Sequence, residues 1–168
     1  MRSKFEGYSK RVCGGGSVMV WGAFGYHGSL KLKMINGRLD GAGYKDMLEE
    51  AQLGTKGMEI CGNNWVFQQD NASIHNSGVV RGWMEANHIT IIDWPALSPD
   101  LNPIEYMWGY LTRKVYENGC QFDNIGSLKK TIMEEWDAIP DWYHHQLIDS
   151  MKNRIFEVIF NQGGKTKY

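Results

Sequence analysis

Asp70 and Glu105 are the residues of this chain best placed to do chemistry. Asp70 ends a short, largely apolar run, Trp65-Val66-Phe67-Gln68-Gln69, that reads as a strand. Ligands in open α/β sheets bind at that C-terminal strand edge. Glu105 falls in the first turn of a helix that Pro103 is suited to begin. The intervening 34 residues (71–104) include Pro95 and Pro99, which with Pro103 crowd into nine positions. Proline fixes φ and biases its predecessor toward extended backbone, so this segment reads as a rigid, non-helical bracket. Hard cations such as Mg²⁺ take oxygen ligands, commonly one or two carboxylates plus substrate phosphates. Two such ions can clamp the attacking and leaving oxygens of a phosphodiester. Each acid alone also has an ordinary structural use, since helix starts favour Glu and turns favour Asp.

Other candidates carry less. His75, five residues after Asp70, either contacts a phosphate or orders the polar loop Asn71–Asn76. His144 and His145 are adjacent on a helical stretch, so they point to different faces and make no zinc pair. Gly163-Gly164-Lys165-Thr166 lacks the earlier glycine of a phosphate loop (Ile159 stands there), and no strand precedes it. Gly14-Gly15-Gly16 leads into a strand, not a helix, which excludes a dinucleotide cradle.

The elements that position these residues follow from pattern. Ser17–Phe24 is β-branched and aromatic, and Gly25–Gly28 supplies turn residues. From Ser29 to Ile35 the chain alternates, with Leu30, Leu32 and Met34 on one face and Lys31 and Lys33 on the other, so a hairpin with one wet face is expected. Lys31 and Lys33 are candidate phosphate contacts. Asp40 is placed to cap a helix carrying Tyr44, Met47, Leu48 and Ala51, which Gly54 and Gly57 should stop. The Asp70 strand, a helix through Val79, Val80, Trp83 and Met84, and the strand Ile89–Ile92 make a strand-helix-strand unit, hence a parallel pair. Three helices complete the chain. One runs from Pro103 to Tyr116, one is lined by Ile125, Leu128, Ile132 and Trp136, and one by Leu147, Met151, Ile155 and Val158 after Pro140-Asp141.

Composition bounds the class. At 168 residues, 42% apolar and 22% charged, one folded domain is expected. The net charge of −1 excludes a uniformly basic coat protein, but residues 1–38 hold seven basic side chains against the single acid Glu6. Such asymmetry is compatible with a nucleic-acid surface. Three cysteines without a CxxC pair make no disulfide framework, and no apolar run of membrane-spanning length exists.

Three segments taken together are more specific: GGGSVMVWGAF (Gly14–Phe24), WVFQQDNASIH (Trp65–His75) and DWPALSPDLNPIEYMWG (Asp93–Gly109). In this order and spacing they resemble the catalytic half of Tc-mariner superfamily transposases, especially the nematode Tc branch. The resemblance implies an α/β, RNase H-like mixed sheet flanked by helices. It implies a triad of two aspartates and a glutamate holding Mg²⁺ or Mn²⁺, which cuts transposon-end DNA and joins it to target DNA in the nucleus. Homodimeric assembly would fit that activity. Asp70 matches the second aspartate and Glu105 the glutamate. The family's first aspartate lies on the first, central strand, upstream of the triple glycine, and the 13 residues before Gly14 hold only Glu6 as an acid. The expectation is therefore a disordered lead-in over 1–13, a truncated RNase H-like domain over 14–160 lacking that strand, and a polar tail over 161–168. Weak or absent strand cleavage is expected of such a chain. The alternative is a non-catalytic, transposase-derived remnant that binds DNA or a protein partner.

Overall fold

A computed structural model describes residues 3–4, 17–93 and 99–161 of the chain. The triple glycine, most of the lead-in, Pro95 and the tail beyond 161 lie outside the described residues.

Three small sheets form the centre. β1 (Ser3–Lys4), β2 (Met19–Trp21) and β5 (Lys33–Ile35) make an antiparallel sheet in the order β1-β2-β5. Val20 pairs with Ser3 on one side and Met34 on the other. β3 (Phe24–Gly25) and β4 (Gly28–Ser29) close the hairpin tip. β6 (Val66–Phe67) and β7 (Thr90–Ile91) pair in parallel, as the strand-helix-strand pattern requires. The lead-in thus departs from its expected disorder at Ser3–Lys4, which pairs alongside β2. Among the described residues no strand joins the β2 sheet to the β6-β7 pair.

Both faces of the hairpin carry buried residues, although Lys31 stays exposed as expected. Val18, Val20 and Leu32 pack into one core with Met107, Trp108, Leu111, Ile132 and Trp136. Trp21 and Leu30 pack into a second, with Tyr44, Leu48, Leu53, Val80 and Met84. Leu30 therefore leaves the face it was expected to share with Leu32. Residues 30–32 lie between β4 and β5 and are not strand, so the two-residue alternation breaks there.

On the second core sit α1 (Gly41–Glu50), α2 (Leu53–Cys61) and α3 (Gly78–Ala86). Asp40 caps α1 as expected, its carboxylate accepting from the Gly43 N–H at 2.8 Å. Gly54 and Gly57 do not stop a helix; both lie inside α2. Helix propensity loses here to packing, because a Cβ at Gly57 would collide with the Trp65 ring. The break comes earlier, at Gln52, whose φ of 58° is left-handed.

On the first core sit α4 (Pro103–Val115), α5 (Ile125–Asp137) and α6 (Asp141–Phe160). Ahead of α4, Pro99–Leu101 form a single 3-10 turn, so the bracket is not wholly non-helical; the φ that proline imposes suits that turn. In α6 only the start of the expected apolar stripe is buried. Leu147 is covered, whereas Ile155 and Phe160 are exposed, Phe160 at 78%. The anchor is instead Arg154, which lies over the Tyr106 ring at 3.9 Å and donates to the Asp100 carbonyl at 3.0 Å.

His144 in α6 is buried, and neither ring nitrogen finds a hydrogen-bond partner among the described residues. Burial lowers its pKa, against a smaller upward pull from Asp141. The folded state therefore keeps His144 neutral, while the unfolded chain protonates near the usual value of about 6.5. The unfolded state binds more protons as pH falls through that value, so stability drops on acidification. The melting temperature is expected to fall between pH 7 and pH 5.5, and less steeply in His144→Leu. Equal slopes would remove His144 as the cause.

Candidate metal and phosphodiester site

Asp70 lies just beyond β6, in the loop that leads to α3. Its side chain is 40% exposed, and its Oδ1 receives the His75 Nδ1–H at 2.6 Å and the Ala72 backbone N–H at 3.1 Å. The Asx turn with Ala72 is what a strand-end aspartate commonly makes. The His75 hydrogen bond, ahead of the Ala72 one, holds the Asp70 carboxyl far below the usual carboxylate range, against the upward push of burial. Asp70 is thus ionised at any working pH.

Glu105 stands in the first turn of α4, half-buried. Burial raises its pKa, and the negative charge of Asp70 adds to the rise. The two acids are therefore electrostatic neighbours, although 34 residues (71–104) separate them in sequence. Environment pushes their pKa values apart, a pattern found where two carboxyl groups share one chemical task.

His75 is 2% exposed. A ring so buried cannot reach the phosphate of a docked duplex, so of its two sequence readings the structure realises the ordering one. Its ring lies 4.3 Å from that of Tyr44. The Tyr44 hydroxyl donates to Gln69 Oε1 at 3.1 Å, and Gln69 Nε2 donates to the His75 carbonyl at 3.5 Å. Tyr44 and Gln69 were not singled out from sequence. Tyr44 fits the apolar stripe of α1, and only the polar character of Gln69 at the end of an apolar strand hints at a buried partner.

Lys31 and Lys33 are not gathered toward Asp70. Lys31 pairs with Asp137 at the end of α5, and Lys33 with Glu50 of α1 at 3.4 Å. Both are surface pairs of small energetic weight, open to competition by an anion.

A cavity of about 400 Å³ lies between residues of the hairpin and of β6 and is lined by Gln69 and Ile104, the chain neighbours of the two acids, but by neither acid. Trp21–Tyr26 line one side, Trp65–Gln69 the other, and Trp108 and Met151 are among the residues that close it.

Two carboxylates of opposite pKa trend, one ionised and part-exposed, fit a hard divalent cation that keeps waters and takes substrate phosphates as further ligands. Among the described residues no group of three or more metal-ligating side chains comes together.

The comparisons with known proteins agree with this geometry. The model of the DDE superfamily endonuclease family matches residues 8–129. The chain is 39% identical over 161 residues to the Tc3 transposase of Caenorhabditis elegans, covering 96% of this chain and 49% of that protein. It is 39% identical over 155 residues to the Tc1 transposase of the same organism, covering 92% and 56%. The chain thus spans about half the length of the curated relatives it matches. The catalytic domain of the Mos1 mariner transposase superposes with a TM-score of 0.77 at 20% identity, covering 90% of this chain and 76% of that one. The same Mos1 domain has been solved with Mn and with Mg. A Mos1 paired-end complex with the left transposon end superposes at 0.80 and 21% identity, covering 95% and 48%. These structural likenesses establish the fold, which is RNase H-like as the motifs implied. The chain belongs to the DDE superfamily endonucleases, in their Tc-mariner transposase branch.

Proposed function

We propose that this chain is the catalytic region of a DNA transposase, acting on phosphodiesters of transposon-end and target DNA. Asp70 and Glu105 would hold Mg²⁺ or Mn²⁺. The observation that carries this is placement: a part-exposed, ionised Asp70 just past β6 and a half-buried Glu105 in the first turn of α4, with the charge of Asp70 among the causes that raise the Glu105 pKa. A bound divalent ion would supply Lewis-acid polarisation of a phosphoryl oxygen and activation of the attacking oxygen. Asp70 stays ionised and is oriented by His75. Glu105, whose pKa burial raises, would be the second carboxylate ligand. No side chain need form a covalent intermediate, because in-line phosphoryl transfer relies on positioning and charge.

The resemblance implies a third carboxylate on a strand beside β2 and β6. Action on target DNA would put the working protein in the nucleus, and the Mos1 paired-end complexes support a reading in which copies of the chain pair two transposon ends.

The test is nicking of supercoiled plasmid by the purified chain with Mn²⁺. Mn²⁺-dependent nicking is expected, lost in Glu105→Gln. DNA binding that weakens steeply with salt, without any Mn²⁺-dependent nicking, would overturn the enzyme reading in favour of a DNA-binding remnant.

A further inference from the structure

The two carboxylate oxygens of Asp70 are treated unequally. Both contacts to the side chain converge on Oδ1, from His75 Nδ1 at 2.6 Å and the Ala72 N–H at 3.1 Å, and the same Nδ1 lies 3.3 Å from the Asp70 carbonyl oxygen. Among the described residues no hydrogen bond reaches Oδ2. Behind His75 runs a buried chain of donors with one direction. The Tyr44 hydroxyl donates to Gln69 Oε1, and Gln69 Nε2 to the His75 carbonyl. The His75 carbonyl can only accept, which sets the orientation of the Gln69 amide, and the bond to Asp70 requires the proton on Nδ1. A satisfied buried network of this kind is rigid. The His75 ring, packed against Tyr44 at a 33° tilt, cannot follow Asp70 if that carboxylate rotates.

We propose that His75 is a positioning residue that fixes Asp70 as a one-oxygen ligand through Oδ2, and so favours Mg²⁺ and Mn²⁺ over Ca²⁺. The proposal rests on the reading of Asp70 as a metal ligand. Mg²⁺ demands compact octahedral geometry, whereas Ca²⁺ takes six to eight oxygens at longer range and readily uses both oxygens of one carboxylate. With Oδ1 tied to His75 and Ala72, Asp70 cannot chelate. Without His75 the carboxylate turns, offers both oxygens and loses its preference for the smaller ions. The buried partners Tyr44 and Gln69 belong to the same device, although neither touches the carboxylate.

The experiment is a Mn²⁺ titration of the full chain followed by electron paramagnetic resonance, with Ca²⁺ as competitor. His75→Phe keeps a ring on Tyr44 and removes the donor. His75→Asn restores an N–H near the position of Nδ1. In His75→Phe, Mn²⁺ affinity is expected to fall about 10–100-fold, as when an outer partner of a ligand is lost. The Ca²⁺ to Mn²⁺ affinity ratio should rise about tenfold alongside, and His75→Asn should bring both values back. A purely structural role would weaken both ions alike and leave the ratio unchanged, and that outcome overturns the proposal. If His75→Phe fails to fold, Tyr44→Phe, which removes a donor farther along the network, should move the ratio the same way by less; an unchanged ratio there likewise overturns it. Asp70→Asn separates the two levels. Retained Mn²⁺ affinity in that variant sinks the ligand assignment itself, whereas lost affinity with an unchanged ratio in His75→Phe sinks only the role of His75.

Discussion

Asp70→Asn is expected to weaken Mn²⁺ binding by at least about 100-fold, beyond the 10–100-fold that loss of an outer partner costs. The substitution is nearly isosteric, and its amide oxygen still accepts from His75 and Ala72, so the loop should keep its shape. What disappears is the negative charge. Two further consequences follow from that alone. Glu105 loses the like charge that makes it harder to ionise, so its pKa should move down toward the ordinary glutamate range. The stability that Asp70 contributes also disappears. A carboxyl whose folded pKa is depressed stabilises the protein above its unfolded value, near 3.9, and that contribution is lost as pH falls through the folded value. Acid unfolding of Asp70→Asn should therefore be less steep than that of the parent. Isothermal titration with Mn²⁺, a carboxyl NMR titration and acid melts read the three effects. Unchanged Mn²⁺ affinity in a folded Asp70→Asn protein would remove Asp70 from the metal site.

Trp136→Ala should be the most damaging single change to the fold. Trp136 is 1% exposed and sits where α5 meets the hairpin. Its ring stacks on Trp108 with centroids 5.2 Å apart, and its indole N–H donates to the Leu30 carbonyl at 2.9 Å. Gly22 leaves room for it, since a Cβ there would lie 2.7 Å from Trp136 Cη2. Truncation leaves a large void, at a cost of about 3–5 kcal/mol. It also strands the Leu30 carbonyl, for roughly another 1–3 kcal/mol. Domain stabilities are typically about 5–15 kcal/mol, so most of the protein's margin would go. Trp136→Phe keeps much of the packing and loses the hydrogen bond, and should fall between the two. Urea unfolding of the three proteins tests this; a Trp136→Ala unfolding free energy within about 1 kcal/mol of the parent would show that α5 does not hold the hairpin as described.

Much of this was legible before any coordinates. Asp40 reads as a cap because its side chain meets a helical N–H three residues on. Trp65–Gln69 and Ile89–Ile92 read as a parallel pair because a helix separates them. Local pattern failed where the deciding contact came from elsewhere in the chain. Gly57 reads as a helix stop, yet the Trp65 ring needs the space that glycine leaves. Leu30 reads as a face-mate of Leu32, yet the chain leaves strand geometry between β4 and β5. The stripe of α6 reads as core along its length, yet the neighbours of that helix cover only its first half.

The candidate site divides along the same line. Residue types, spacing and the proline bracket were enough to single out Asp70 and Glu105 and to point to metal-assisted phosphoryl chemistry, because the ends of a strand and of a helix are local features. The coupling of the two acids, the burial of His75, the Tyr44–Gln69 support and the pairing of Lys31 and Lys33 with Asp137 and Glu50 were not written in any local pattern. They depend on distances between residues far apart in the chain, and those distances are set when two cores close on opposite faces of one small sheet.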